Sequence, residues 1–304
     1  MKHFLEISQL TTSQIHALLA RALEFKKGTQ YPVYSKHTLA NLFYENSTRT
    51  RVSFEIAAKQ LSLSVINLEM QHSSESKGET LTDTIKTLGV MGINVFVLRH
   101  KQDNLPNWLA EQLGNNPAHL INAGDGQHAH PSQAMLDMMT ILEKKPDLSQ
   151  LKIAILGNIR HSRVANSMQC LCAKLQVGEL VLIAPEIWQP QKVHYGRVTS
   201  SLQEGLAGAD VVICLRVQYE RLLQNETIDL PTYLRDYTLT TETLRFAKPD
   251  AMIMHPGPIN REVEISSAVA DGPQSFILQQ VSNGVFMRMA ILDALLNPSS
   301  KIES

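Results

Sequence analysis

The sequence predicts an α/β protein made of two doubly wound domains, each with a mostly parallel sheet of four to five strands and with the active site in the cleft between them. Three observations carry that prediction. Short apolar runs recur along the chain and are continuous rather than alternating, as strands buried on both faces are. Stretches with helical period separate them. Polar and charged clusters follow the ends of the runs, where open parallel sheets bind ligands.

The runs in the first half are TLANLFY (38–44), SVINLE (64–69), NVFVLR (94–99) and HLINA (119–123). Those in the second half are LKIAILG (151–157), ELVLIA (179–184), DVVICLR (210–216) and AMIMH (251–255). Helical stretches between them include RVSFEIAAKQL (51–61), TLTDTIKTLGVM (80–91), SRVANSMQCLCAKL (162–175) and TSSLQEGLAGA (199–209). PSQAMLDMMTILEKK reads as a helix and PDLSQ as a short connector, so the division falls there. The first domain is expected over 1–135 and the second over 136–283. A last helix within 284–304 has no strand after it and is expected to pack back on the first domain. At the N-terminus, Thr11 and Gln14 have capping-box spacing ahead of an apolar-periodic run that ends at Gly28.

Composition narrows the function. The chain has 304 residues, long enough for two domains. Its 43% hydrophobic and 19% charged residues argue for folded cores rather than disorder. A net charge of −1 argues against nucleic acid or an anionic membrane as partner, so any basic site is local. No run is long and apolar enough to span a membrane, and Glu6 interrupts any signal-peptide core. Cys170, Cys172 and Cys214 show no paired metal spacing and read as small buried thiols in a reducing, cytoplasmic setting.

The stretch LFYENSTRTRVSFE (42–55) is the densest cluster. A strand, a tight loop and a helix start offer free backbone N–H groups and a helix dipole to an anion. Ser47, Thr48 and Thr50 add hydroxyls, and Arg49 adds a planar fork suited to phosphate. Plain helix capping would need one hydroxyl and no arginine. There is no GxxxxGK[ST] P-loop, and GNIRHS (157–162) does not fit GxGxxG. SSESKGETLTDT (73–84) presents Lys77 on a loop that, taken by itself, reads as ordinary solvated surface. In NAGDGQHAHPSQ (122–133), His128 and His130 lack a third ligand at zinc spacing, so no metal is expected. A histidine there can instead donate to a carbonyl oxygen. If Pro131 opens a helix, Gln133 falls in its first turn. Arg163, Arg216 and Arg221 exceed what one phosphate needs and suit a second, carboxylate-bearing anion, or pair with Glu45 and Glu220. The HPGP turn (255–258) exposes backbone carbonyls in fixed geometry. These clusters describe an enzyme that joins two anionic small molecules.

Together FYENSTRTRVSFE, KGETLTDTI, LRH, GDGQHAHPSQAMLD, IRHSRVANS, LRVQYER and MHPGPINREVEI resemble the catalytic chains of the aspartate carbamoyltransferase family, in order and over nearly the whole chain. STRTR with HPxQ is shared by carbamoyltransferases in general. The RHSR, RVQxER and HPGP segments point to the aspartate branch, whereas ornithine members usually carry HPCQ and HCLP. The resemblance implies transfer of a carbamoyl group from carbamoyl phosphate to L-aspartate, toward pyrimidines, without a cofactor. It implies that Ser47, Thr48, Arg49 and Thr50 bind the phosphate with Arg99, and that Thr50, Arg99 and His130 polarise the carbonyl. By the same resemblance, Gln133 and the carbonyls of Pro256 and Gly257 orient the carbamoyl amide. Lys77, Arg163, Arg216 and Gln218 hold the aspartate. Ser73 and Lys77 would come from a neighbouring subunit of a homotrimer, and Glu45, Arg163 and Arg221 would link the closed domains. A regulatory chain or a dihydroorotase is a further candidate partner. Asn158 departs from the family, which usually has an acid there. The alternatives are another amino-acid acceptor such as ornithine, or a catalytically weak scaffold homologue.

Overall fold

The computed structural model describes residues 1–68, 78–217 and 228–297. Its elements in chain order are α1 (Thr12–Lys26), β1 (Thr38–Phe43), α2 (Thr48–Gln60), β2 (Ser64–Leu68), α3 (Leu81–Val90), β3 (Val95–His100), α4 (Leu105–Leu113), β4 (His119–Asp125) and α5 (Pro131–Leu142). Then come β5 (Lys152–Leu156), α6 (Arg163–Lys174), β6 (Glu179–Ile183), β7 (Arg197–Thr199), α7 (Leu202–Leu206), β8 (Val211–Cys214), α8 (Leu230–Tyr237), β9 (Met252–Met254), α9 (Ser267–Ala270) and α10 (Ile277–Leu296). The chain divides into two compact units, one of residues 1–139 with 281 onward, the other of residues 140–280.

Unit 1 carries a parallel sheet in the order β2-β1-β3-β4, with Leu39 opposite Val95 and Ala40 opposite Phe96. The centre of β1 is buried on both faces, so apolar and polar residues do not alternate along it, and its one buried amide, Asn41, donates to Asn67 Oδ1 at 2.9 Å. On one face Ala40, Leu42, Phe96, Leu98 and Leu120 pack with Ile85, Leu105 and Leu109 of α3 and α4. Each large apolar side chain so covered stabilises the fold by about 1.5–3 kcal/mol. α1 opens with the expected capping box: Gln14 N–H donates to Thr11 Oγ1 at 3.1 Å and Thr11 N–H to Gln14 Oε1 at 2.9 Å.

Unit 2 carries a parallel sheet in the order β7-β6-β5-β8-β9. Here the structure adds a strand. β7 is three residues at the sheet edge with Arg197 exposed, so no apolar run announces it. It also shortens the helix read over 199–209 to Leu202–Leu206, because Thr199 belongs to β7 and Gly208 leaves the helical region at φ +69. Conversely, α10 begins at Ile277, earlier than the apolar period shows, since Leu278 in its first turn points to solvent.

The strand orders locate the functional edge of each unit. In unit 1 the connections leave β1 toward β2 on one side and reach β3 on the other, so the order reverses between β1 and β3. In unit 2 it reverses between β5 and β8. Loops at such a switch point diverge and leave a crevice at the carboxyl ends of the strands. The loops after β1, β5 and β8 carry Ser47, Asn158 and Arg216, and Arg99 stands at the carboxyl end of β3.

Candidate active site

In unit 1, Ser47 is the N-cap residue of α2 in position but not in bonding. Its side chain makes no cap hydrogen bond, and the first helical bond runs from Arg51 N–H to the Ser47 carbonyl at 3.1 Å. The backbone N–H groups ahead of Arg51 lie outside the helix ladder, at the positive end of a thirteen-residue helix. Thr50 is buried, while Thr48 and Arg49 face solvent. Desolvation is the resolved influence on Arg49 and lowers its pKa, with no carboxylate acting on it among the described residues. Such a cradle has its donors unspent.

Arg99 joins this cradle from the end of β3. Its Nη1 donates to the Ala123 carbonyl at 3.1 Å, and its Nε lies 3.6 Å from Glu45 Oε2. Tyr44 N–H donates to the Arg99 carbonyl at 2.9 Å, and the Tyr44 ring meets His100 edge-on at 4.8 Å. The loop before Ser47 is thereby pinned to the tip of β3.

The turn after β4 is organised by Asp125, which is fully buried. Its carboxylate accepts from Asn104 N–H at 2.7 Å, Asn122 Nδ2 at 2.8 Å, Ala129 N–H at 3.1 Å and His128 Nδ1 at 2.9 Å. Burial alone would raise the Asp125 pKa, but these bonds, first the one from His128, hold it below the ordinary value. The same bond raises His128, against burial, with help from the charges of Asp125 and Glu6. His128 is therefore an anchor. Among the described residues no group of three His, Cys, Asp or Glu side chains is placed to hold a metal.

His130 follows, buried, and its carbonyl accepts the opening bonds of α5 from Gln133 and Ala134 N–H at 3.1 and 3.3 Å. Pro131 does open that helix, and Gln133 lies in its first turn. Gln133 Nε2 donates to Asp137 Oδ1 at 2.8 Å, which leaves its Oε1 as the acceptor for a ligand N–H. Behind α5 the Arg288 guanidinium is buried, stacked 5.0 Å from the Phe54 ring of α2. Burial pushes its pKa down to about 10, opposed by the charge of Asp137. Neither Asp125 nor the Asp137 and Arg288 charges entered the sequence reading of the site.

In unit 2, Gly157 ends β5 at φ +126, and a Cβ there would meet the Leu215 carbonyl at 2.7 Å. Only glycine lets the loops after β5 and β8 approach so closely. Asn158 is fully buried. Its Oδ1 accepts from His161 N–H at 3.3 Å and pairs with His161 Nδ1 at 2.9 Å, and its Nδ2 has no partner among the described residues. Ser162 caps α6 by accepting from Ala165 N–H at 3.1 Å, with Arg163 next, buried in the first turn. Arg216 is half-buried just past β8. Asn260 Nδ2 donates to the Val217 carbonyl at 3.2 Å, tying the turn after β9, which holds Pro256 and Gly257, to the loop of Arg216. Ser73, Lys77, Gln218 and Arg221 lie outside the described residues, as do residues 298–304 of the expected terminal helix. A groove of about 410 Å³ between Leu244, Arg245 and Pro273 takes in none of the predicted site residues.

Two family models match the chain, the aspartate/ornithine carbamoyltransferase carbamoyl-P binding domain over residues 2–143 and the Asp/Orn binding domain over residues 149–295. The chain belongs to the aspartate/ornithine carbamoyltransferase family. Within that family it is 67% identical to the aspartate carbamoyltransferase catalytic subunit of Legionella pneumophila (strain Corby), over 97% of this chain and 99% of that one. It is 46% identical to the corresponding subunit of Coxiella burnetii (strain Dugway 5J108-111), over 97% and 96%. Among solved structures it is similar to aspartate transcarbamoylase from Trypanosoma cruzi in complex with carbamoyl phosphate and aspartate, with a TM-score of 0.85, 30% identity and 97% of each chain covered. An ornithine carbamoyltransferase from Pyrococcus furiosus matches with a TM-score of 0.85, 25% identity and 98% coverage of each. The two-domain carbamoyltransferase fold is thus common to both branches, and the relatives of high identity carry the aspartate name.

Proposed function

We propose that the chain transfers the carbamoyl group of carbamoyl phosphate to L-aspartate, giving N-carbamoyl-L-aspartate and phosphate in pyrimidine biosynthesis. The observation that carries this reading is the unspent donor set at the start of α2, beside Arg99 at the end of β3, in a chain 67% identical to an aspartate carbamoyltransferase catalytic subunit. Ser47, Thr48, Arg49 and Thr50 take the phosphate. Gln133 Oε1 and the carbonyls of Pro256 and Gly257 take the amide N–H groups. Arg163 and Arg216 take the aspartate carboxylates, with Lys77 and Gln218.

The amine of aspartate attacks as the neutral base, so a C–N bond forms as the C–O bond to phosphate breaks. Negative charge gathers on the carbonyl oxygen in between, where Thr50, Arg99 and His130 donate. Phosphate leaves with the bonding electrons and can accept the amine proton, so no separate protein base is required. Burial of Thr50 and His130 strengthens those donations, because little water competes there.

A homotrimer is part of the proposal, with Ser73 and Lys77 supplied to a neighbouring subunit and Glu45, Arg163 and Arg221 linking the domains on closure. Its support is the apolar surface near the cradle: Val52 and Ile56 on α2 and Ile66 on the edge strand β2 are exposed. A cytoplasmic setting fits three cysteines that form no disulfide, of which Cys172 and Cys214 have thiol pKa values pushed up by burial and stay inert. The test is an assay of purified protein with carbamoyl phosphate and a panel of amino acids. Carbamoylation of aspartate is expected, and turnover of ornithine with none of aspartate overturns the reading.

A further inference from the structure

At the root of the HPGP turn lies a closed pair of titratable side chains that the transfer itself does not use. His255 and Glu264 side chains are both fully excluded from solvent, and His255 Nε2 is 3.0 Å from Glu264 Oε1. Gly257 N–H donates to His255 Nδ1 at 2.8 Å. That nitrogen must carry a lone pair, so the imidazole proton is on Nε2 and is donated to the carboxylate. Glu264 Oε1 also accepts from Asn260 N–H at 2.6 Å, and His255 N–H is held by Gln280 Oε1 at 2.8 Å. Glu264 Oε2 has no hydrogen-bond partner among the described residues. Leaving a buried carboxylate oxygen unsatisfied is costly, and such costs persist where they serve a site.

The geometry of the peptide bond gives this pair a function. The Pro256 carbonyl and the Gly257 N–H belong to one planar trans peptide, so they point in opposite directions. With the N–H drawn inward to His255, the Pro256 carbonyl is turned away from the pair. Asn260, fixed by the same carboxylate, holds Val217 and with it the loop of Arg216. We infer that His255 and Glu264 form a buried dyad that sets the direction of the Pro256 carbonyl and so positions the acceptor for the carbamoyl amide. This rests on the proposed role of Pro256 and goes beyond it by naming what aims the carbonyl. His255 and Glu264 are positioning residues, not catalytic ones.

The test has two arms. Imidazole nitrogen NMR of the intact protein must show His255 protonated on Nε2 and bare on Nδ1; a proton on Nδ1 overturns the inference whatever any variant does. The second arm compares carbamoyl phosphate with acetyl phosphate, which has a methyl group where the amide N–H groups would be. The ratio of the acetyl phosphate Ki to the carbamoyl phosphate KM measures what the amide acceptors contribute. Glu264→Gln keeps an acceptor for Nε2–H and should keep that ratio. Glu264→Leu should lower it about tenfold, the weight of one lost hydrogen bond, while the Ki of inorganic phosphate stays unchanged as a check on folding. An unchanged ratio in Glu264→Leu overturns the inference. If wild type itself shows no preference for carbamoyl over acetyl phosphate, the role assigned to Pro256 fails instead, and absence of any transfer fails the proposed function.

Discussion

Arg51 N–H closes the first helical bond onto the Ser47 carbonyl, and this single contact divides two arginines that look equivalent in sequence. Arg49 precedes it, in the turn whose N–H groups have no helical acceptor. Arg51 follows it, on the exposed face where its charge lowers the pKa of Glu55, after the larger effects of Lys59 and Asn67. Arg49→Ala should therefore lower kcat/KM for carbamoyl phosphate by the equivalent of about 2.7–4 kcal/mol of transition-state stabilisation. Because Arg49 is exposed, its melting temperature should move by no more than about 2 °C. Arg51→Ala should leave kcat/KM within about twofold, since an exposed helical ion pair contributes only about 0.3–0.5 kcal/mol. Steady-state kinetics and thermal melts of both variants check the asymmetry.

Ser47 and Ser162 offer a matched contrast. Both stand at helix N-caps after strands, yet Ser162 Oγ accepts a cap bond and Ser47 Oγ does not. Ser162→Ala should cost about 1 kcal/mol in urea unfolding, the usual loss of a cap. Ser47→Ala should cost little stability and raise the KM for carbamoyl phosphate. Equal losses of stability would show that Ser47 caps its helix after all.

These contrasts show where the sequence was legible. A strand buried on both faces is mostly apolar without alternation, so β1, β3, β5 and β8 and the polar loops after them stood out. STRTR was readable because its excess of donors exceeds what a cap needs. β7 was not readable, since a three-residue edge strand with an exposed arginine has no apolar signature. Asp125 was hidden in a local turn motif, where an acid beside two glycines suggests only a bend. The pairs His255–Glu264 and Asp137–Arg288 were hidden for another reason: their partners are brought together by the fold, and nothing in the local pattern of either residue names the other.

Asp125 and His128 give unit 1 a pH dependence with a definite sign. The His128 pKa is raised above its ordinary 6.5, so its contribution is complete below that value and is lost as pH rises through the raised folded value. The Asp125 pKa is depressed below 3.8, so its contribution holds above that value and is lost as pH falls through the depressed one. His128→Gln should accordingly destabilise more at about pH 5.5 than at about pH 8.5. Urea unfolding at the two values decides it, and a difference that grows toward alkaline pH would reverse the assignment.

Arg288 tests the support behind Gln133. Its removal as Arg288→Met takes away the cation that faces Asp137 in a buried setting and the stack on Phe54. Breaking a buried pair from one side costs about 3–5 kcal/mol. Adding Asp137→Asn removes the opposing charge while keeping an acceptor for Gln133 Nε2. The double variant should recover part of the loss, with a coupling of about 0.5–3 kcal/mol in a double-mutant cycle. Simple additivity would show that the two charges do not act as a pair.

Gly157 tests unit 2 through its backbone. At φ +126 an alanine is strained wherever it has room, and here its Cβ would also meet the Leu215 carbonyl at 2.7 Å. That carbonyl cannot easily retreat, because Leu215 N–H is bonded to the Leu156 carbonyl at 2.8 Å. The loop after β5 must shift instead, carrying Asn158 and the start of α6 with Arg163. Strain of this kind costs about 1–3 kcal/mol. Gly208 is a control, since it has φ +69 but open space around a would-be Cβ. Gly208→Ala should cost only about 1–2 kcal/mol of backbone preference and leave the kinetics alone. Gly157→Ala should raise the KM for aspartate by up to about a hundredfold, the scale of loss that a displacement of roughly one ångström at a positioned group brings. The KM for carbamoyl phosphate should hold, because the phosphate cradle lies in unit 1. Parallel rises in both KM values would show instead that the substitution loosens the protein as a whole.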